Sequence, residues 1–197
     1  MRPHGWAAWI TMRGVTDFQS PSVPAASGRP LRVLALCLGN ICRSPVAEAL
    51  LRRELEAAGV AAVVDSAGTG DWHVGRAADP RSREVAARHG LHLNGQGRQL
   101  STADFYEQDV ILAMDTSNLA DARRLSPPDG EARLTLMREF DPLSPGADVP
   151  DPYYGGARGF EDMFVMLERS ARTFAAAARA AATAGGGGAG GDSDSTD

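Results

Sequence analysis

Only two cysteines occur in the 197 residues, and both fall in one short run, Cys37-Leu38-Gly39-Asn40-Ile41-Cys42-Arg43-Ser44-Pro45. A thiolate is a strong nucleophile. A guanidinium can grip two oxygens of a phosphate in a fork that an ammonium group cannot match. Cys37 and Arg43 are six residues apart, which alone says little, because Arg fills 20 positions of the chain. The surroundings say more. An apolar run suited to a buried strand, Leu31 to Leu36, stops just before Cys37, and a helix signature opens just after Arg43. Gly39 and Asn40 both tolerate left-handed backbone. A loop of this kind, caught between a strand and a helix N-terminus, can turn its amides inward as an anion cradle. The amides, the positive helix end and Arg43 would together favour a Cys37 thiolate and receive a phosphate dianion. Ser44 can give its hydroxyl hydrogen to the sulfur when the sulfur has to leave. The chemistry expected is transfer of a phosphoryl group to Cys37. Arg43 acts as clamp, and Leu38, Gly39, Asn40, Ile41, Cys42 and Ser44 shape the cradle, Asn40 through its side-chain hydrogen bonds.

A departing alkoxide or phenolate then needs a proton. Asp141 and Asp151 both lie in the long loop 138–159 and both precede a proline, which disfavours helix at the Asp. Spacing does not choose between them. Aromatic residues make up only 6% of the chain, yet Trp72, Tyr153 and Tyr154 fall in irregular segments rather than in strands or helices. Buried strands or helices would be the usual places for core aromatics. Asp115, at the end of a strand, is a candidate for the polar network around the loop. The histidines show no metal-ligand spacing. His73, His89 and His92 read as surface or helix-end residues, and no metal or other cofactor is expected.

The elements that must hold these residues alternate. Strands are expected at Leu31–Leu36, Ala61–Asp65, Val110–Met114 and Ala132–Met137. A helix is expected from Ser44, as its cap, to Ala58, with Pro45 in its first turn and Gly59 beyond its end. Others open at Asp79-Pro80, at Ser101–Asp104 and at Thr116, and a last one runs from about Phe160 to Ala182. This is an α/β pattern: a four-stranded parallel sheet with helices on both faces, in a single domain. Its site lies beyond the C-terminal ends of the strands. Residues 31–183 form the domain. Residues 1–30, aperiodic and rich in Pro, Ser and Gly, read as a disordered extension, and 184–197 as a disordered Gly-rich acidic tail.

The net charge of -5 offers no basic field for nucleic acid. No apolar run approaches the roughly 20 residues that span a bilayer, and Trp6-Ala7-Ala8-Trp9-Ile10 is too short for a signal-peptide core. A cytoplasmic protein without a membrane partner is expected. The chain contains no lysine, which excludes a catalytic lysine and the Gly-x-x-x-x-Gly-Lys nucleotide loop.

The run from Cys37 to Pro45 resembles the loop of the low-molecular-weight protein tyrosine phosphatase family. So do Asp65-Ser66-Ala67-Gly68-Thr69 with Asp71-Trp72, Asp79-Pro80-Arg81, Met114-Asp115 and Asp151-Pro152-Tyr153-Tyr154, in matching order over residues 31 to 180. The resemblance implies a phosphocysteine intermediate, no metal, and phosphotyrosine-containing proteins as substrates. It selects Asp151 as general acid and then as the base that activates water. It implies that Trp72 and Tyr153 wall a deep, narrow pocket, and that Tyr154 packs beneath or, with Tyr153, is a site for a tyrosine kinase. Glu48 and Asp65 match supporting acidic positions, while Gly95 stands where some relatives carry a histidine. Cys37 and Cys42 match a pair that can form a protective disulfide. Three other readings share the loop. A thioredoxin-coupled arsenate reductase needs further cysteines late in the chain, and none follow Cys42. Phosphoarginine phosphatases carry Thr where this chain has Ile41. A non-catalytic phosphate-binding module would have lost the cysteine, the arginine or the acid.

Overall fold

Six of the seven residues of β1 (Leu31–Cys37) are buried, too many for a strand with one face in water. Such a strand belongs in the middle of a parallel sheet covered on both sides. The computed structural model, which describes residues 18–26 and 28–185, places it there. With β2 (Ala62–Gly68), β3 (Val110–Ala113) and β4 (Arg133–Leu136) it forms a four-stranded parallel sheet in the order β2-β1-β3-β4. The period-two alternation of β1 then sorts its side chains. Val33, Ala35 and Cys37 enter the larger core with residues of α1 (Arg43–Ala57), α2 (Pro80–Arg88) and α5 (Ala157–Gly185). Leu34 and Leu36 enter a second core with Phe105 of α3 (Asp104–Glu107) and Ala122 of α4 (Thr116–Leu125). The α/β fold expected from the pattern is the one found.

Register is what matters for the site. Cys37 pairs with Gly68, and Leu36 pairs with Ala113. The C-terminal ends of β1, β2 and β3 therefore reach one edge together, where Ser66 to Gly68 and Asp115 flank the loop after Cys37.

Several boundaries differ from expectation. β2 continues three residues past Asp65, because pairing with β1 holds Ser66, Ala67 and Gly68 despite their weak strand preference. α1 starts at Arg43 with Cys42 at its cap position, and Ser44 is not the cap. Its hydroxyl is committed to Cys37 and Asn40, in the loop after β1, instead. Pro45 is tolerated because the first-turn amides have no helical partner to lose. A 3-10 turn, Met137–Phe140, occupies the start of the loop expected from Arg138. α5 is longer at both ends than 160–182, as its run of Ala and Arg favours.

The segment ahead of β1 is laid against the domain where it is described. Val23 is buried in the larger core. Arg133 donates to the Ser22 carbonyl and, at 3.1 Å, to its hydroxyl. Arg29 forks onto Asp109 at 2.8 and 2.5 Å. A buried valine and two arginine clamps take residues 18–26 and 28–30 out of the disordered extension, so the folded unit reaches back past Leu31. Residues 1–17 and 27 lie outside the described residues, as do 186–197 of the expected tail. Among the described residues no helix is long and apolar enough to cross a membrane.

Candidate active site

The five residues between β1 and α1, Leu38 to Cys42, close into a loop whose outer edge is pinned by its neighbours. The carbonyls of Cys37, Leu38 and Ile41 accept from the amides of Thr69, Gly70 and Asp79 at 2.9, 2.8 and 2.8 Å. The Cys42 carbonyl accepts from the Ser82 hydroxyl at 3.2 Å. Carbonyls turned outward leave the amides of the same peptides turned in, as an anion cradle requires. Asn40 makes the turn with φ of 53°, the left-handed region that Asn tolerates better than most residues. Gly68 is needed beside it: a Cβ there would stand 2.9 Å from the Leu38 carbonyl oxygen and 3.1 Å from the Asn40 nitrogen.

A chain of hydrogen bonds runs through this loop. The Asn40 side-chain carbonyl accepts from the Arg98 amide at 2.9 Å. Its two amide hydrogens go to the hydroxyls of Ser44 and Ser66, each at 2.9 Å. Ser66 passes its own hydrogen to Glu48 Oε2 at 2.7 Å. Ser44 has one hydrogen and two acceptors in reach, the Ala67 carbonyl at 3.3 Å and Cys37 Sγ at 3.0 Å. A charged sulfur is the stronger acceptor, so a Cys37 thiolate draws that hydrogen. The Asn40 backbone amide adds a second donor to the sulfur at 3.2 Å.

Arg43 lies behind the sulfur, almost wholly buried. Its Nη1 donates to Asp115 Oδ2 at 2.6 Å and to the Val149 carbonyl at 3.1 Å, and its Nη2 donates to Asp151 Oδ2 at 2.8 Å. Burial works against its charge, but Cys37, Asp115 and Asp151 outweigh burial and hold its pKa above the ordinary arginine value. Arg43 Nε is buried and has no hydrogen-bond partner among the described residues. A buried donor left unpaired costs about 1–3 kcal/mol, and an oxyanion at Cys37 would satisfy it. Asp115, two residues past the end of β3, caps α4 by accepting from the Asn118 amide at 2.7 Å, and fixes Arg43 with its other oxygen.

Asp151 and Asp141, which spacing did not separate, are separated by their surroundings. Asp151 keeps 40% of its side chain exposed and is oriented by the Tyr153 amide at 3.0 Å. Asp141 is fully buried. Arg169 reaches its two oxygens at 2.5 and 2.7 Å, Arg138 donates at 2.9 Å and the Leu143 amide at 3.0 Å. Burial alone would raise its pKa, but Arg169, Leu143 and Arg138 hold it below the usual carboxylate range. A carboxyl sealed in that clamp has no path to a leaving group.

A cavity of about 350 Å³ opens over the sulfur, lined by Cys37, Leu38, Gly39, Ile41, Cys42, Arg43, Trp72, His73, Asp151, Tyr153 and Tyr154. Asn40 and Ser44 stand behind this lining. Trp72 folds over Gly70 with 66% of its surface in solvent, where any side chain at position 70 would collide with the ring. Tyr154 does not pack beneath: it is 98% exposed, edge to face with Tyr153 at 5.0 Å. Gly155 and Gly156, which follow it, have no side chains to cover it. His73, read from the sequence as a surface residue, is part of the lining and packs against Gly39. Its place directly after Trp72 was the available signal. Arg98 was also missed. It links Asp65, at 2.9 Å, to the Asn40 side chain through its backbone amide. Asp65 thus supports the loop indirectly, whereas Glu48 touches it through Ser66. Gly95 borders a second cavity, of about 250 Å³, beside Asn40, Glu48 and Ser66.

Comparison with known proteins finds relatives over most of the chain. The family model described as low molecular weight phosphotyrosine protein phosphatase matches residues 32–183. A low molecular weight phosphotyrosine protein phosphatase of Schizosaccharomyces pombe is 47% identical over 149 residues, covering 73% of this chain and 94% of the relative. The crystal structure of a protein tyrosine phosphatase from Entamoeba histolytica with Hepes in the active site superposes with a TM-score of 0.70 at 34% identity, covering 73% of this chain and 94% of the other. A drosophila arginine phosphatase superposes with a TM-score of 0.68 at 32% identity, over 73% and 95% of the two chains.

Proposed function

We infer that this chain, which belongs to the low molecular weight phosphotyrosine protein phosphatase family, hydrolyses phosphotyrosine in proteins through a phosphocysteine intermediate. The observation that carries the reading is the meeting of Cys37, Arg43 and Asp151 in one aromatic-walled cavity. In the first step Cys37 Sγ attacks phosphorus and the P–O bond to the phenol breaks. Asp151 gives its proton to the departing oxygen, and Arg43 with the loop amides holds the equatorial oxygens. In the second step water attacks the phosphocysteine, Asp151 takes the water proton, and the S–P bond breaks. The Ser44 hydrogen then stabilises the released thiolate. The acid and the clamp are one unit, since Asp151 rests on Arg43.

The phosphotyrosine preference rests on Trp72, Tyr153 and Ile41, which offer apolar and aromatic surface to a phenyl ring. The second reading, a phosphoarginine phosphatase, is favoured by the likeness to the drosophila arginine phosphatase. Ile41 counts against it, since it brings a branched alkyl group and no hydroxyl to the cavity. Peptides carrying phosphotyrosine, phosphoserine or phosphoarginine, assayed with a chelator present, decide the matter. Turnover of phosphotyrosine is expected to exceed the other two by about 100-fold or more in kcat/KM. A preference for phosphoarginine would replace the first reading with the second.

Two regulatory features follow from the same reading. Both Tyr153 and Tyr154 line the cavity, and of the two Tyr154, 98% exposed against 39%, is the more open to a tyrosine kinase. Cys42 is the partner for an oxidised Cys37: peroxide converts the Cys37 thiolate to a sulfenic acid, and the Cys42 thiol displaces water to form the disulfide. Both cysteines are free, buried and on the same cavity. Burial, then Asp79, Cys37 and Asp151, push the Cys42 pKa up to about 12. Its thiolate is scarce at neutral pH, so capture should accelerate about tenfold per pH unit below that value. After a peroxide pulse, dithiothreitol should restore more activity to the wild-type protein at pH 8.5 than at pH 7, and little to Cys42→Ser at either. Equal recovery of both proteins, with no disulfide in the loop peptide by mass spectrometry, would leave Cys42 as packing. A thiolate enzyme guarded in this way suits the reducing cytoplasm.

A further inference from the structure

The Asp79-Pro80-Arg81 segment takes no part in the reaction as drawn, yet it touches both loops that do. Asp79 caps α2 and its backbone amide donates to the Ile41 carbonyl, while Ser82, one turn on, donates to the Cys42 carbonyl. This ties the first turn of α2 to the loop of the nucleophile. From the same turn the Arg81 side chain reaches the opposite way. Its Nη1 donates to the carbonyls of Tyr153 at 3.0 Å and Gly155 at 3.4 Å. Its guanidinium carbon lies 4.5 Å from the Phe160 ring centroid and 5.5 Å from that of Tyr153. Asp79 holds the other edge of the fork at 3.0 and 2.9 Å. Tyr153 is in turn the residue whose amide orients the Asp151 carboxylate at 3.0 Å.

We propose that Arg81 is a positioning residue for the general acid, a strut that sets the Asp151–Tyr153 loop at a fixed distance from the Cys37 loop. Stability is not its main contribution. The Arg81 side chain is 39% exposed, and ion pairs that wet add little to folding. What the arrangement supplies is position: five N–H donors in a plane span Asp79 on one side and two carbonyls on the other, while the flat face stacks on aromatic rings. Only arginine among the side chains combines those contacts.

The inference rests on Asp151 being the acid, and the test separates the two claims. The readout is the dependence of kcat on leaving group across a series of aryl phosphates, from p-nitrophenyl to phenyl, with thermal unfolding measured in parallel. Arg81→Met is expected to lose about tenfold in kcat on phenyl phosphate and about twofold or less on p-nitrophenyl phosphate. Asp151→Asn is expected to be steeper in the same direction. The Arg81→Met, Asp151→Asn double variant should be no slower than Asp151→Asn, because the strut acts through that carboxyl. Arg83→Met, exposed on the same helix, should match the wild-type protein. Arg81→Lys keeps the charge beside Asp79 but not the fork, and it serves the same reading if Arg81→Met does not fold; a loss of about threefold confined to poor leaving groups is expected. A uniform loss across the series, or none, with Asp151→Asn still steep, overturns the role of Arg81 alone. So does a double variant whose losses multiply. A flat series for Asp151→Asn overturns the acid and the strut together.

Discussion

Cys37→Ser is expected to fold, to bind inorganic phosphate within a few-fold of the wild-type affinity, and to lose about 10⁴-fold or more in turnover. The hydroxyl is smaller than the thiol and enters the same place, so the Asn40 amide and Ser44 hydroxyl that surround the sulfur at 3.2 and 3.0 Å have no reason to move. The loop that binds phosphate is held from outside by Thr69, Gly70 and Asp79 and by the Asn40 side chain, none of which contacts the sulfur through its own side chain. What is lost is the anion. A serine hydroxyl is not ionised by these donors at neutral pH, and no general base stands beside it, because Ser44 is already turned as a donor. Single-turnover mixing with a phosphotyrosine peptide, together with titration calorimetry of phosphate, measures both halves of the expectation. Turnover within tenfold of wild type would remove Cys37 from the role of nucleophile, and failure to bind phosphate would mean that the sulfur shapes the cradle.

Arg43→Lys is expected to cost about 10³-fold in kcat/KM although the charge is kept. An ammonium group cannot present Nε–H to an oxyanion while also bonding Asp115, the Val149 carbonyl and Asp151, as the guanidinium does at 2.6, 3.1 and 2.8 Å. The same three contacts make the substitution a stability experiment. Removing the fork leaves the part-buried Asp115 without one partner and frees the loop that carries Asp151, so unfolding should become easier by about 2–3 kcal/mol. Steady-state kinetics on p-nitrophenyl phosphate and a denaturant melt test the pair of effects. A near-wild-type rate would dismiss the clamp. An unchanged melt with a collapsed rate would mean that Asp115 and Val149 find other partners and that Arg43 acts on the substrate only.

The two variants report on parts of the site of different origin. The nucleophile and its cradle belong to one contiguous stretch, and a strand, a loop with Gly39 and Asn40, and a helix start are properties that neighbouring residues impose on each other. Cys37, Arg43 and the cradle residues were therefore legible from the chain. So was the sheet, because β1, β2, β3 and β4 each announce themselves as short apolar runs between helical stretches. Where the reading slipped, the cause was a contact that residue type alone does not announce. Ser44 looks like a helix cap by residue type but spends its hydroxyl on Cys37 and Asn40. Residues ahead of Leu31 look like loose chain, but Val23 finds a place in the core and Arg133 holds Ser22.

The sequence by itself determined what chemistry the loop can do, since type and spacing of Cys37, Arg43 and Ser44 are local facts. It could not decide which distant groups serve that loop. Arg43 meets Asp115 across 72 residues and Asp151 across 108, and no local preference encodes a pairing of that length. Strand order does: placing β3 next to β1 brings Asp115 beside the loop, and Asp151 follows from the Val149 amide bonding the Met114 carbonyl at the end of β3. Asp141 and Asp151 are alike in residue type and in the proline that follows. Only packing tells them apart, because α5 brings Arg169 onto Asp141 and seals it, while Asp151 is left at the cavity with Arg43. His73, Arg81 and Arg98 were given no role from the sequence for the same reason, Arg81 being legible only as part of a motif. Histidine and arginine read as surface residues in a linear chain, and they acquire a role only when the fold carries another loop to within hydrogen-bond or packing distance of them.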